Sequence, residues 1–280
     1  MKICYLGQAK SPIVRSWAEH FARDHEVHLL TDDYYPIEGV KVHRIGWDTK
    51  IPGITYWTRV MDVGNLLEQI KPDVVHAHYA FGYGTMAALA GAKPLVITAM
   101  GSDIGSGAAG SWLIRRGVRY ALQRCDVLAV KDDMAGRRAV ELGCPADRIV
   151  ISRSCCDTAR FSPDAASWAL RWQLFTNSCT TVIYTRPFNR YYNALDLGVA
   201  MQSIMEHDPD VKFLIVDHGD LIDGWKEHLK LQPWMNRIIF LPRIPHEDMP
   251  RYLASADIYL DTFYPQPDVA GHGHGTNLIE

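Results

Sequence analysis

Apolar runs of strand length alternate with segments of helical periodicity from one end of the 280-residue chain to the other. No other feature limits the fold as strongly. Strands separated by helices cannot be joined by hairpins, so they pair in parallel, with crossover helices covering both faces of the sheet. The pattern predicts strands over Lys2–Gly7, Glu26–Thr31, Val40–Ile45, Val74–His78, Leu95–Met100, Val127–Val130 and Ile149–Ser152. It predicts helices over Ile13–His25, Ile54–Ile70, Trp112–Arg124 and Asp133–Leu142. A polar stretch that opens at Phe161-Ser-Pro-Asp164 reads as a linker, after which the alternation restarts. Strands are then expected over Thr181–Thr185, Lys212–Asp217, Arg237–Pro242 and Ile258–Phe263, with helices over Leu195–Glu206 and Met249–Ala256. The expected architecture is α/β: two doubly wound, Rossmann-type lobes at residues 1–162 and 180–280, joined by a linker at 163–179. Four strands and the opening of a helix make about two-thirds of a six-stranded doubly wound sheet, so the second lobe is expected to be incomplete.

Composition narrows the class. With 48% hydrophobic and 22% charged residues, the chain can bury a full core. A formal charge of −3, from 29 basic and 32 acidic residues, argues against nucleic acid as the main partner. Cys4, Cys125, Cys144, Cys155, Cys156 and Cys179 show neither Cys-x-x-Cys spacing nor a compact framework, which suits reduced thiols in the cytoplasm. The first residues read as a strand entering a turn rather than as a signal peptide. The uncharged run from Ala77 to Ala92 is broken by glycines and falls short of the roughly 20 residues that a spanning helix needs. Contact with a membrane surface stays open.

Two places carry candidate chemistry. Arg186 follows the first strand of the second half, where a guanidinium can give paired hydrogen bonds to phosphate oxygens. The last residues, His272-Gly-His-Gly-Thr-Asn-Leu-Ile-Glu280, read as a glycine-rich turn opening a helix. Glycines let backbone N–H groups approach an anion, and the helix N-terminus adds partial positive charge. Gly273, Gly275 and Thr276 would form such a phosphate cradle. The spacing of His272 and His274 supplies no third ligand, so no metal site is expected.

The order of motifs resembles the GT-B glycosyltransferases, in particular the large retaining group called family 4 or group 1. The resemblance covers essentially the whole chain. In the first lobe it rests on Ile70-Lys-Pro-Asp-Val-Val-His-Ala-His78 and Val96-Ile-Thr-Ala-Met-Gly-Ser-Asp-Ile104. At the junction it rests on Gly143-Cys-Pro-Ala-Asp-Arg-Ile-Val-Ile151 and Asp157-Thr-Ala-Arg-Phe161. In the second lobe it rests on Thr185-Arg186, Phe213-Leu-Ile-Val-Asp-His-Gly219, Arg237-Ile-Ile-Phe-Leu241 and Pro245-His-Glu-Asp-Met-Pro-Arg-Tyr-Leu253. Each motif alone is weak; their number and order are specific.

The resemblance implies an acceptor-side first lobe, a second lobe that binds a nucleoside diphosphate sugar, and reaction in a cleft between them. It implies transfer to a hydroxyl acceptor (a saccharide, a lipid-linked molecule or a small molecule) with retention at the anomeric carbon. Neither a cofactor nor a metal would be needed, the nucleotide sugar being a co-substrate. Arg186 would meet the donor pyrophosphate, and Glu280 would match the second glutamate of the family's Glu-x7-Glu signature and hold the ribose. Arg190 would stand in for a lysine whose place Tyr191 occupies. His272 replaces the first glutamate of that signature, and Met100 replaces a histidine that contacts the donor sugar. Gly7 would open a loop toward the donor; His78, Gly101 and Asp103 would be acceptor or sugar contacts. The basic stretch from Trp112 to Tyr120 would rest on a membrane surface, placing the protein in the cytoplasm or at the inner membrane face. Cys155-Cys156 reads as a pair of small fillers. Two other readings stay open: a nucleotide-binding protein or fragment without catalysis, and a sugar epimerase of the same fold.

Overall fold

The structure, a computed structural model, describes residues 1–47, 51–105, 111–153, 156–189, 192 and 194–262. Among them the chain forms two compact units, one up to residue 153 and one from residue 156 onward. The polar stretch at 163–179 is not a free linker. It folds into the second unit as the short helix Trp168–Gln173, and the boundary falls earlier than the composition shift suggested.

In the first unit seven strands form one sheet: β1 (Lys2–Leu6), β2 (Glu26–Thr31), β3 (Val40–Arg44), β4 (Val74–His78), β5 (Leu95–Thr98), β6 (Val127–Val130) and β7 (Ile149–Ile151). Their order is β3-β2-β1-β4-β5-β6-β7, and every pairing is parallel. The chain starts in the middle, steps outward through β2 and β3, then returns across the sheet to β4. Right-handed crossovers therefore put helix Pro12–Phe21 on one face and the later helices on the other. The cores follow this division. Val14 and Ala18 pack with Ile3, Tyr5, Val27 and Leu29, whereas Val60, Val63, Met86, Val118, Leu122 and Ala139 pack with Cys4, Leu6, Val75, Leu95 and Ile97. β1 is apolar on both sides because both its faces are covered.

The second unit repeats the scheme with β8 (Thr180–Tyr184), β9 (Val211–Val216), β10 (Ile238–Leu241) and β11 (Ile258–Tyr259). The order is β10-β9-β8-β11, again all parallel. Alternate residues of β8 divide between two cores: Val182 and Tyr184 pack with Phe188, Phe213 and Trp225, while Ile183 packs with Leu214, Val216 and Leu241. Helix Ile222–Leu229 was not evident in the sequence, because Gly224 in its first turn weakens the helical signal. The expected strand over 258–263 is short, with Leu260, Asp261 and Thr262 already outside the ladder.

Candidate nucleotide-sugar site

Parallel pairing decides which residues meet. β8 and β11 are neighbours in register, Val182 opposite Ile258 and Ile183 opposite Tyr259. The loops leaving their carboxyl ends therefore run side by side, and Arg186 meets Asp261, two residues past each strand. Arg186 Nε donates to Asp261 Oδ1 and Arg186 Nη2 to Oδ2, both at 2.9 Å. The side chains are 12% and 9% exposed. Burial opposes the guanidinium charge, but the bonds to Asp261 outweigh it and hold the group protonated above its ordinary value. The Tyr192 ring lies under the guanidinium, 5.1 Å from its carbon. This side-on pairing uses the Nε–Nη2 edge. The Nη1 end of the fork takes no hydrogen bond among the described residues and is the part that can meet an oxyanion.

Hydroxyl groups support the pair. Tyr184 Oη lies 3.1 Å from Thr262 Oγ1, which donates to the Tyr192 carbonyl at 2.7 Å. Burial pushes the Tyr184 phenol up to about 12. The neighbouring loop after β9 is fastened to the Arg186 loop through backbone. Phe188 N–H donates to the His218 carbonyl at 2.8 Å, and Leu221 N–H donates to the Phe188 carbonyl at 2.9 Å. Gly219 has φ 118°, and a Cβ there would collide with the Phe188 backbone. Its glycine is thus required by close approach. Asp217, at the same edge, is ion-paired with Lys226.

The first unit places its candidates at the carboxyl edge of its own sheet. Gly7 follows β1, and a Cβ there would press on Val14 at 3.0 Å and reach His78 Cβ at 3.6 Å. Gly7 and His78 are therefore adjacent. His78, however, is 1% exposed, with neither ring nitrogen hydrogen-bonded among the described residues. It stacks on His76 at 4.6 Å and meets the edge of Trp17 at 5.9 Å. Desolvation lowers its pKa to about 4 and that of His76 to about 3. Within the first unit the ring is part of an aromatic core. Asp103 is likewise buried within the first unit. Its Oδ2 accepts from Ala80 N at 2.6 Å and its Oδ1 from Met100 N at 3.0 Å, so the carboxylate ties two loops together. Burial raises its pKa and these backbone N–H groups oppose the rise. Gly101, with φ 101°, makes the turn that brings Met100 and Asp103 together.

Arg190, His272, Gly273, Gly275, Thr276 and Glu280 lie outside the described residues. The residue that sequence reasoning missed is Asp261. Its only signal is an acidic side chain directly after an apolar strand, which is common and unspecific.

Comparison with known proteins agrees with this architecture. The model of the glycosyl transferase 4-like family matches residues 2–132. An uncharacterized glycosyltransferase of Methanocaldococcus jannaschii is 35% identical over 88 residues, a segment that is 29% of this chain and 25% of that protein. Among solved structures, Anabaena HepE in complex with UDP and glucose superposes with a TM-score of 0.75 at 15% identity, covering 95% of this chain and 76% of that one. Sucrose-phosphate synthase from Thermosynechococcus elongatus gives a TM-score of 0.70 at 16% identity, covering 95% and 77%. A UDP-GlcNAc 2-epimerase from Methanocaldococcus jannaschii shares the fold at a TM-score of 0.61 and 13% identity, covering 92% and 78%. At such identities the superpositions establish fold alone. The family match is confined to residues 2–132, and the superpositions show that the chain shares the fold of these nucleotide-sugar enzymes.

Proposed function

We propose that the protein transfers a sugar from a nucleoside diphosphate sugar to a hydroxyl acceptor, with retention at the anomeric carbon and without a metal. The observation that carries this reading is Arg186, held side-on by Asp261 at the carboxyl edge of the second sheet with one end of its fork unused. Ligands of open parallel sheets gather at that edge. The UDP held by the Anabaena neighbour supports a nucleotide sugar as donor. In the proposed step the anomeric carbon–oxygen bond to the diphosphate breaks as a bond to the acceptor oxygen forms on the same face. A donor phosphate oxygen takes the acceptor's proton. Arg186 and the N–H groups around Gly275 and Thr276 would stabilise the charge gathering on the departing diphosphate. Glu280 would hold the ribose, and Arg190, His272 and Gly273 would complete the donor contacts.

Incubation with a panel of radiolabelled nucleotide sugars and hydroxyl acceptors tests the reading. Acceptor-dependent product, lost in Arg186→Ala, is expected. Binding of nucleoside diphosphates without product would favour a non-catalytic protein, and conversion of the nucleotide sugar without acceptor would favour the epimerase reading. Undiminished turnover in Arg186→Ala would remove that residue from the mechanism.

A membrane surface is proposed as the partner of the first unit. Helix Trp112–Arg124 exposes Trp112 (70%) and Leu113 (62%) in its first turn, with Arg115, Arg116 and Arg119 exposed behind them. Helix Pro52–Ile70 exposes Ile54, Trp57 and Met61 as one stripe, preceded by exposed Trp47 and Ile51. Both helices leave the carboxyl edge of the sheet on the same face. Aromatic and aliphatic tips beside arginines suit the interface of an anionic bilayer. No helix among the described residues is long and apolar enough to cross one. Flotation with vesicles rich in anionic lipid should carry the protein upward, and Trp57→Ser with Trp112→Ser should abolish it. Equal flotation of the double variant would refute the contact.

A further inference from the structure

We propose that the second unit holds a separate pocket for a neutral saccharide, between helices Ala194–His207 and Ile222–Leu229. A cavity of about 400 Å³ lies there. Its floor is Phe188, Trp225, Leu229 and Trp234, all buried. Gln202, His228 and Gln232 stand at its rim. Packed interiors keep few voids larger than a water molecule, whereas small-molecule sites start at roughly 300 Å³. The cavity is therefore of ligand size.

Two glycines line it. Gly198 lies on one helix and Gly224 on the other, and both line the cavity. Glycine weakens a helix interior relative to alanine, so each needs a reason. At Gly198 the reason is visible: a Cβ would stand 2.9 Å from Trp225 Nε1. At Gly224 nothing lies within 4 Å, so close packing does not require the missing side chain. What its absence preserves is the space.

The chemistry of the walls selects the ligand. Trp225 is 7% exposed, and its indole N–H makes no hydrogen bond to a described residue and is not sealed from solvent. Among the described residues no aspartate, glutamate, lysine or arginine lines the cavity, which disfavours phosphates and other ions. The amide of Gln202 gives its N–H to Glu206 at 2.8 Å, leaving its carbonyl free to accept. Gln232 and His228 add further donors and acceptors. Aromatic floor, amide rim and one unused donor match the apolar faces and hydroxyls of an uncharged sugar ring. The pocket shares no lining residue with the Arg186–Asp261 pair, and it stands independently of sugar transfer.

Labelling the tryptophan indoles of the full chain with nitrogen-15 gives a direct readout, the Trp225 signal being assigned by Trp225→Phe. Glucose, maltose and lactose are titrated against inorganic phosphate and uridine monophosphate. A saturable shift of the Trp225 signal with at least one saccharide, and with neither anion, is expected. Gly224→Ala adds a Cβ that meets nothing within 4 Å, and Gly224→Leu extends it into the cavity; the leucine variant should weaken that binding about tenfold or more, while the alanine variant holds or raises the thermal midpoint. Gly198→Ala should act in the same direction. The proposal is overturned if no saccharide moves the signal, if either anion moves it as strongly, or if Gly224→Leu binds as tightly as the parent.

Discussion

Arg186 and Asp261 depend on each other. Removing one partner of a buried ion pair leaves an uncompensated charge, which costs about 3–5 kcal/mol. Asp261→Ala should therefore lower the unfolding free energy of the second unit by roughly 3 kcal/mol in a denaturant titration, and Asp261→Asn by less, because one acceptor oxygen survives. Arg186→Lys keeps the charge but loses the fork, and kcat should fall roughly 100-fold in a donor-turnover assay. A second residue-scale prediction concerns His76 and His78. Both are neutral in the folded core, with pKa values pulled down to about 3 and about 4, while the unfolded chain titrates near the ordinary 6.5. Below that value the unfolded state binds protons that the folded state refuses. Stability is therefore full above about pH 6.5 and declines as pH falls toward 4. Chemical denaturation at a series of pH values should show this slope, and His78→Phe should flatten it. Arg186 was legible as a cation at a strand end. Asp261 was not, because it lies 75 residues away and only the pairing of β8 with β11 brings it near. The surroundings of His78 and Asp103 were illegible for a related reason: their polarity is visible in the sequence, but the aromatic ring or backbone amide beside each is not.

At the scale of elements, loops at strand ends carry the strictest demands. Gly219 combines φ 118° with direct contact to the Phe188 backbone, so Gly219→Ala should destabilise the second unit by more than the ~1 kcal/mol of an ordinary glycine exchange. A thermal melt followed by tryptophan fluorescence would show it. Helix Trp168–Gln173 is anchored through Arg171, whose Nη1 donates to the Ser255 carbonyl at 2.9 Å and to Asp257 at 3.1 Å. Its Nη2 donates to the carbonyls of Thr176 and Cys179, both at 2.9 Å. Arg171→Ala should free this helix and raise its amide exchange rate, with less effect on β9. Nothing in the polar composition of 163–179 announced the anchoring, since the partners are mostly backbone carbonyls.

For the whole molecule, each unit has its own sheet and its own hydrophobic clusters. Residues 1–153 expressed alone should accordingly fold and melt cooperatively by circular dichroism; a molten, non-cooperative product would show that the first core needs the rest of the chain. Two features of this architecture were readable from residue order alone. Strand–helix alternation left parallel pairing as the only way to bury so many apolar runs, and the order of strand-end motifs pointed to the GT-B glycosyltransferases. Both are properties of periodicity and order along the chain. Tertiary structure decided what stands next to what: Asp261 beside Arg186, Trp17 beside His78, the Ala80 amide on Asp103, and a cavity where Gly198 faces Trp225. Such contacts join segments far apart in the chain, and strand register and crossover direction select them, so no local pattern of residues could disclose them.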